Sequence, residues 1–460
     1  MADFSIQEIL TATGGRLITG ENTGSCSGIS SDTRTIKPGE AFLALKGERF
    51  DGHEHVTEAV KNGASFIIDM HSQGYPGGVP VVQVDDTLRA LGDIARFHRR
   101  RFTMPVIGIT GSNGKTTTKE MTAAVLSGAW PVVKTEKNFN NEIGLPITLL
   151  RLTQQDRACV VEMGMRGRGQ IAALCKIALP TVGLITNVGV THMELLGSQQ
   201  AIADAKAELA EALPAEGKLV LNADDPYVTA MKARTRATCY RFSLNQTADL
   251  FLENSNAEGN GQHMEVNGCW GRFSLYLPAL GRHNLYNALA STLTGLILGL
   301  SPDQIAQGLR SLVLADQRLV LRETNDGIKV LDDTYNSSPP AVEAALETMD
   351  GIPSTGKRIA VLGDMLELGN AAEKAHTQVG EGLKSHSIDV LFGFGTLSQQ
   401  TVQAATKEGI SSHHYHETNM EELINDLNAL VRPGDFVIVK GSRGMHMERV
   451  VQALLRRNQS

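Results

Sequence analysis

The sharpest chemical signal is PVIGITGSNGKTTTKEM, residues 105–121. An apolar, β-branched run leads into a glycine-rich turn, and Gly114, Lys115 and Thr116 then open a helical pattern. A phosphate-binding loop needs this order. Small residues at Gly111, Ser112, Asn113 and Gly114 let backbone N–H groups approach phosphate oxygens, Lys115 reaches the outer ones, the hydroxyl of Thr116 can ligate Mg²⁺, and Thr117 completes the nucleotide-binding run. The strict motif would put a glycine at 109, where the chain has Ile109, with Gly108 and Gly111 to either side. A plain Gly-Ser-Asn-Gly turn before a helix is the alternative.

Two further residues end successive apolar runs: Glu162 closes ACVVEMG, and His192 follows TVGLITNVGVT. At the carboxyl edge of a parallel sheet both would face the crevice of the phosphate loop, with the carboxylate as the natural hard-oxygen ligand for magnesium. Taken alone, Glu162 is as well read as a solvated loop carboxylate, and His192 as a loop histidine bonded to backbone. Lys206 lies in SQQAIADAKAELAEAL between Asp204 and Glu208, and composition favours an exposed lysine in helix-spaced ion pairs. His283, Asn284 and Asn287 open another helix in GRHNLYNALA, where they could read a base edge or merely cap and pack. Arg318, Asp333 and Asn336, Asp364, and Lys440 with Arg443 form a last polar group, all but Arg318 following predicted strands.

Such residues need a scaffold that brings strand ends together. Up to about Val84, short runs (Glu40 to Leu45, Ser65 to Ile68, Val79 to Val84) surround one helical stretch, HEHVTEAVKNGA, giving a small α+β domain. A helix over Thr87 to Arg101 leads out. From Pro105 to about Leu314 strand, glycine turn and helix alternate, which predicts a parallel sheet covered on both faces, with hairpins inserted between Arg241 and Leu280. From Gln317 the alternation restarts with KVLDDT, RIAVLG, DVLFGF and DFVIVK as strands, a Rossmann-like unit. The fold class is therefore α/β in three domains, with boundaries at 1–84, 85–315 and 316–460: a small α+β N-terminal domain, a central P-loop ATPase-like parallel sheet domain and a C-terminal Rossmann-like domain.

Composition narrows the partners. With Lys+Arg 43 against Asp+Glu 50, the net charge of -7 argues against coating nucleic acid, so an anionic ligand must be held by local cations. The five cysteines form no C-x-x-C pair, so neither a disulfide framework nor a zinc site is expected. MADFSIQEIL lacks the pattern of a secretory signal, and the apolar stretch at Leu293 to Leu300 is too short to span a bilayer. A cytoplasmic protein without membrane or nucleic-acid partners, and a monomer, is expected.

Taken in order, IGITGSNGKTT, VVEMG, TNVGVTH, the AKAE helix, NADDP, GRHNLYNALA, DDTYNSSP and KGSRGM resemble the Mur ligases, ATP-dependent amide synthetases of peptidoglycan precursors. The resemblance spans nearly the whole chain. LGDMLELG, DDTYNSSP and VKGSRGMHME are similar to the branch that adds D-alanyl-D-alanine (D-Ala-D-Ala) to UDP-MurNAc-tripeptide, and the D-N-P-R motif of the branch adding the third amino acid is missing. The resemblance implies ATP and two Mg²⁺ ions, with Thr116, Glu162 and His192 as magnesium ligands beside the catalytic Lys115. It also implies that Lys206 is carbamylated and holds the second ion. Asn284 would lie along adenine, Arg318 and Asp333 would close over ATP, and Ser31, Arg34, Lys46 and Asn336 would hold substrate. Gln317 replaces a glycine the family often has before this arginine. An amino-acid ligase of the same family or of the folylpolyglutamate-synthase type, and a P-loop nucleotide switch without ligation, are the competing readings.

Overall fold

The structure, a computed structural model, describes residues 2–47, 50–71, 75, 78–189, 196–313 and 319–457. They fall into two compact units. The first comprises Met1–Phe251, Gly268–Trp270 and Asn287–Gly308, and the second Leu252–Asn267, Gly271–Tyr286 and Leu309–Ser460.

The first unit holds two larger sheets beside a two-stranded antiparallel pair, Phe4–Ser5 with Ser25–Cys26. The N-terminal one orders its strands Arg16–Thr19, Val81–Gln83, Ile67–Asp69, Ala41–Leu43 and Ile29–Ser30, parallel except for the first pair. The central sheet is parallel, in the order Val132–Lys134, Ala158–Glu162, Val106–Thr110, Val182–Ile185, Lys218–Asn222 and Thr238–Ser243, with Leu250 and Phe251 pairing beyond. All five residues of Val106–Thr110 are buried, which explains a run that is apolar throughout rather than alternating.

Helix Thr87–Arg99 joins the two sheets within one core. Asp86 caps it, accepting from Leu88 N at 2.8 Å and Arg89 N at 3.0 Å, and Ala90, Leu91, Ile94, Ala95 and His98 form its buried stripe. At its end the buried Arg99 guanidinium donates to the carbonyls of Ala178 (3.1 Å), Phe102 (2.6 Å) and Met104 (3.3 Å). The segment HEHVTEAVKNGA is less regular than its pattern predicts. Gly52–His55 is a 3-10 turn and the α-helix covers only Val56–Lys61, because the Asp51 carboxylate accepts from His53 N and draws the chain into a tight turn.

The second unit carries a six-stranded sheet in the order Val320–Glu323, Lys329–Asp333, Phe436–Lys440, Arg358–Gly363, Val390–Phe394 and Ser411–Tyr415, antiparallel only at the first pair. The four predicted strands are its centre, and the two edge strands were not anticipated. Of the hairpins expected between Arg241 and Leu280, Gly261–Gly268 with Phe273–Leu277 is one, whereas Thr238–Ser243 extends the parallel central sheet instead. No helix among the described residues is long and apolar enough to cross a membrane.

Candidate functional site

Strand order sets the site of the first unit. The phosphate-loop strand Val106–Thr110 has Ala158–Glu162 on one side and Val182–Ile185 on the other, with Glu162 level with Ile109 and Ile185 level with Thr110. Chain connections diverge to either side of this strand, so a crevice opens at its carboxyl end.

Gly111 to Gly114 turn within that crevice, and two of the glycines are sterically required. A Cβ on Gly111 would stand 1.8 Å from Thr186 Oγ1, and one on Gly114, at φ +78, 2.6 Å from Asn287 Oδ1. The loop is braced by the segment after the neighbouring strand. Ser112 N donates to Asn187 O (2.9 Å), Asn113 N to Asn187 Oδ1 (3.0 Å), Thr186 Oγ1 to Asn113 O (2.7 Å) and Gly189 N to Ser112 Oγ (2.8 Å). Helix Lys115–Ser127 follows, with the Lys115 ammonium donating to the carbonyls of Gly111 (2.8 Å) and Ser112 (3.1 Å). Thr116 is half-buried and Thr117 buried. Thr118 Oγ1 donates to Asn287 Oδ1 at 3.0 Å, so Asn287 anchors its helix to the phosphate-loop helix.

Glu162 is 2% exposed. Its Oε1 accepts from Asn140 Nδ2 at 2.9 Å, while the equally buried Oε2 has no hydrogen-bond partner among the described residues. A buried carboxylate oxygen left without a donor is costly, and a bound cation at that oxygen would remove the cost. The solvated-carboxylate reading fails for this residue.

The exposed reading of Lys206 fails as well, since helix Gln199–Ala212 turns it inward to 1% exposure. Its neighbours pair elsewhere: Asp204 with Arg168 and Arg234, and Glu208 with Gly169 N and Ala172 N. Burial first, and the charge of Lys115 second, push the Lys206 amine down to about 7.

Asn140 and Asn187 were missed by the sequence reading, although both sit in quoted or adjacent polar runs after strands. So was Lys119. It is 1% exposed, pairs with Glu120 at 2.7 Å and donates to Thr135 O at 2.8 Å, while Thr135 Oγ1 accepts from Glu162 N at 3.1 Å.

In the second unit, Asn284 Nδ2 donates to Leu280 O at 2.7 Å, a bond across the start of its helix. Asp333 Oδ2 accepts from Lys440 Nζ at 2.5 Å, and its Oδ1 accepts from Leu319 N at 3.3 Å. Lys440 also donates to the Asn336 carbonyl at 2.9 Å, and the Asn336 side chain accepts from Ser337 N. Asp364 caps helix Ser398–Lys407, accepting from Ser398 N at 2.7 Å, and Arg443 stacks over Tyr335. His192 and Arg318 lie outside the described residues.

In the N-terminal sheet region, Ser31 is partly buried and Arg34 pairs with Asp32 at 2.7 Å. Lys46 lies 3.4 Å from Asp51.

Three family models match the chain: the Mur ligase family catalytic domain over residues 25–99, the Mur ligase middle domain over 109–295 and the Mur ligase glutamate ligase domain over 317–443. The chain is 40% identical to a UDP-N-acetylmuramoyl-tripeptide--D-alanyl-D-alanine ligase of Synechocystis sp., covering 94% of this chain and 92% of that one. It belongs to the Mur ligase family. Among solved Mur ligases, a MurF from Acinetobacter baumannii superposes with a TM-score of 0.90 at 29% identity, covering 99% of this chain and 100% of the other. MurF from Thermotoga maritima, determined with ADP, does so with a TM-score of 0.82 at 31% identity over 93% and 97% of the two chains. The α/β architecture expected from the strand and helix pattern is thus that of a Mur ligase.

Proposed function

We propose that this Mur ligase joins D-alanyl-D-alanine to UDP-N-acetylmuramoyl-tripeptide with the cleavage of ATP, forming the pentapeptide precursor of peptidoglycan. The observation that carries this reading is end-to-end similarity to ligases of that name, with the phosphate-loop lysine, buried Glu162 and buried Lys206 kept in one unit.

The chemistry follows from the substrates. A carboxylate is a poor electrophile, so ATP first converts the tripeptide carboxylate to an acyl phosphate; the dipeptide amine then attacks that carbonyl and phosphate leaves. The loop from Gly111 to Thr117 cradles the phosphates, and Lys115 neutralises charge on the migrating phosphoryl group. The residues present fit a magnesium ion, because Glu162 Oε2 is a buried acceptor without a donor. Thr116, Glu162 and His192 would hold the ion, whose charge offsets that of the phosphates when bound.

Lys206 fits carbamylation for a stated reason. Carbon dioxide reacts with the neutral amine, and an amine lowered to about 7 is substantially neutral at physiological pH. The resulting anionic carbamate would hold a second Mg²⁺. Asn284 along adenine, Arg318 and Asp333 over ATP, Ser31, Arg34 and Lys46 on the uridine nucleotide, and Asn336 on substrate complete the assignment. Residues 1–84 then serve the uridine nucleotide, 85–315 ATP, and 316–460 the incoming dipeptide, in a monomeric cytoplasmic enzyme.

The test is direct. The protein is incubated with ATP, Mg²⁺, UDP-MurNAc-tripeptide and either D-Ala-D-Ala or single amino acids, and the nucleotide product is weighed by mass spectrometry. A dipeptide adduct is expected. An amino-acid adduct alone would move the enzyme to the other branch, and phosphate release with no adduct would make it a nucleotide switch.

A further inference from the structure

We infer a further metal-binding site, for a transition-type divalent cation such as Zn²⁺, formed by His53, Asp69 and His71 in the N-terminal sheet region; it is independent of the ligase reading. One ligand atom from each of the three side chains lies within 4.8 Å of the others. Asp69 ends strand Ile67–Asp69 and is fully buried, the His53 side chain is 6% exposed, and that of His71 is 53% exposed. The group thus has a protein wall behind it and an open side toward solvent.

The cluster is hydrogen-bonded, His71 Nδ1 standing 3.0 Å from Asp69 Oδ1, and three features suit it to exchange that bond for a cation. The first is spacing. Asp69 Oδ1 lies 3.1 Å from His53 Nε2 and 3.0 Å from His71 Nδ1. Two ligand atoms about 2.0 Å from a tetrahedral zinc stand about 3.3 Å apart, so both pairs that include Asp69 are already near that separation.

The second feature is the far side of His53. Its Nδ1 stands 2.5 Å from Asp51 Oδ1, while its buried Nε2 makes no hydrogen bond among the described residues. If Nδ1 alone carries a proton, donated to Asp51, the lone pair of Nε2 faces a carboxylate oxygen, and that repulsion is removed by a metal cation or a second proton between them. A carboxylate behind the outer ring nitrogen is how proteins orient a metal-ligating histidine.

The third feature is Asp69 itself. Its Oδ2 accepts from the Tyr75 hydroxyl and its Oδ1 from His71 N at 3.0 Å, which fixes the carboxylate plane. Two imidazoles and one carboxylate select a borderline-soft ion over Mg²⁺, so the site is chemically distinct from the hard-oxygen group around Glu162.

The test uses the full chain, stripped with a chelator and titrated with Co²⁺ in excess Mg²⁺ and ADP. One Co²⁺ per chain with the strong visible bands of a four-coordinate ion is expected, and Zn²⁺ should bleach them. His71→Ala should abolish the bands. Asp51→Asn, which keeps shape, should weaken binding about 10–100-fold, with circular dichroism confirming that each variant is folded. Absence of Mg²⁺-resistant Co²⁺, or binding unchanged in His71→Ala, would overturn the site. Histidine NMR showing His53 doubly protonated in the stripped protein and unmoved by Zn²⁺ would instead make the group a proton-bridged ion cluster.

Discussion

Replacing Lys206 with methionine should stabilise the protein while abolishing ligation. Lys206 is 1% exposed, and its amine is pushed from 10.5 down to about 7, by burial first and by Lys115 second. At pH 7 a fall of that size corresponds to a folding penalty of at most about 4 kcal/mol. Methionine keeps the linear apolar stem and carries no charge, so Lys206→Met removes the penalty with little change in volume. The pH dependence has a definite sign. Between about pH 7 and pH 10.5 the unfolded chain holds a proton that the folded chain has released, so wild-type stability rises with pH, by at most about 1.4 kcal/mol per unit. Below about pH 7 both states are protonated and the full penalty applies. The advantage of Lys206→Met is therefore largest in acid and narrows by about 2–3 kcal/mol between about pH 6 and pH 9. Urea unfolding in degassed, bicarbonate-free buffer measures the difference, and hydrogen exchange over Gln199–Ala212 localises it. A variant less stable than wild type at every pH, or an advantage that does not narrow, would refute the buried-charge argument. In the ligation assay the same variant should give no product, with or without bicarbonate.

Glu162→Gln preserves the acceptor facing Asn140 but removes the charge at the unpartnered oxygen; turnover should fall about 100-fold or more and half-saturation should need more Mg²⁺, which a magnesium titration of initial rates would reveal. Asp333→Ala leaves Lys440, 2% exposed, without its carboxylate, and should cost about 3 kcal/mol, the retained bond to Asn336 O keeping the loss at the low end. Adding Lys440→Met should recover most of that loss, and a double variant no more stable than Asp333→Ala would show that the ion pair is not the cause.

Central strands were legible in the sequence because burial on both faces demands unbroken apolar runs, as in Val106–Thr110 and Phe436–Lys440. Edge strands were not. Ser411–Tyr415 reads SSHHY and Val320–Glu323 reads VLRE, because an edge strand need not be buried on both faces, and nothing in such a run announces a sheet. The glycine-rich turn from Gly111 to Gly114 was legible by type. The braces were not: Asn140 and Asn187 act through partners 22 and 74 residues away in sequence.

The sequence by itself determined the phosphate loop, the α/β alternation and the order of motifs, since all of these are local patterns of residue size, polarity and period. Only the tertiary structure decided what Glu162 and Lys206 are. Both are charged residues whose local context permits a solvated surface role, and ionisation behaviour depends on burial and on charges brought near by distant segments. The parallel register that sets Glu162 level with Ile109, and the helix rotation that turns Lys206 inward while Asp204 and Glu208 pair outside, bury two residues whose local sequence reads as ordinary charged surface. The same holds for His53, which the fold carries from the 3-10 turn Gly52–His55 to within 3.1 Å of Asp69 at the end of strand Ile67–Asp69.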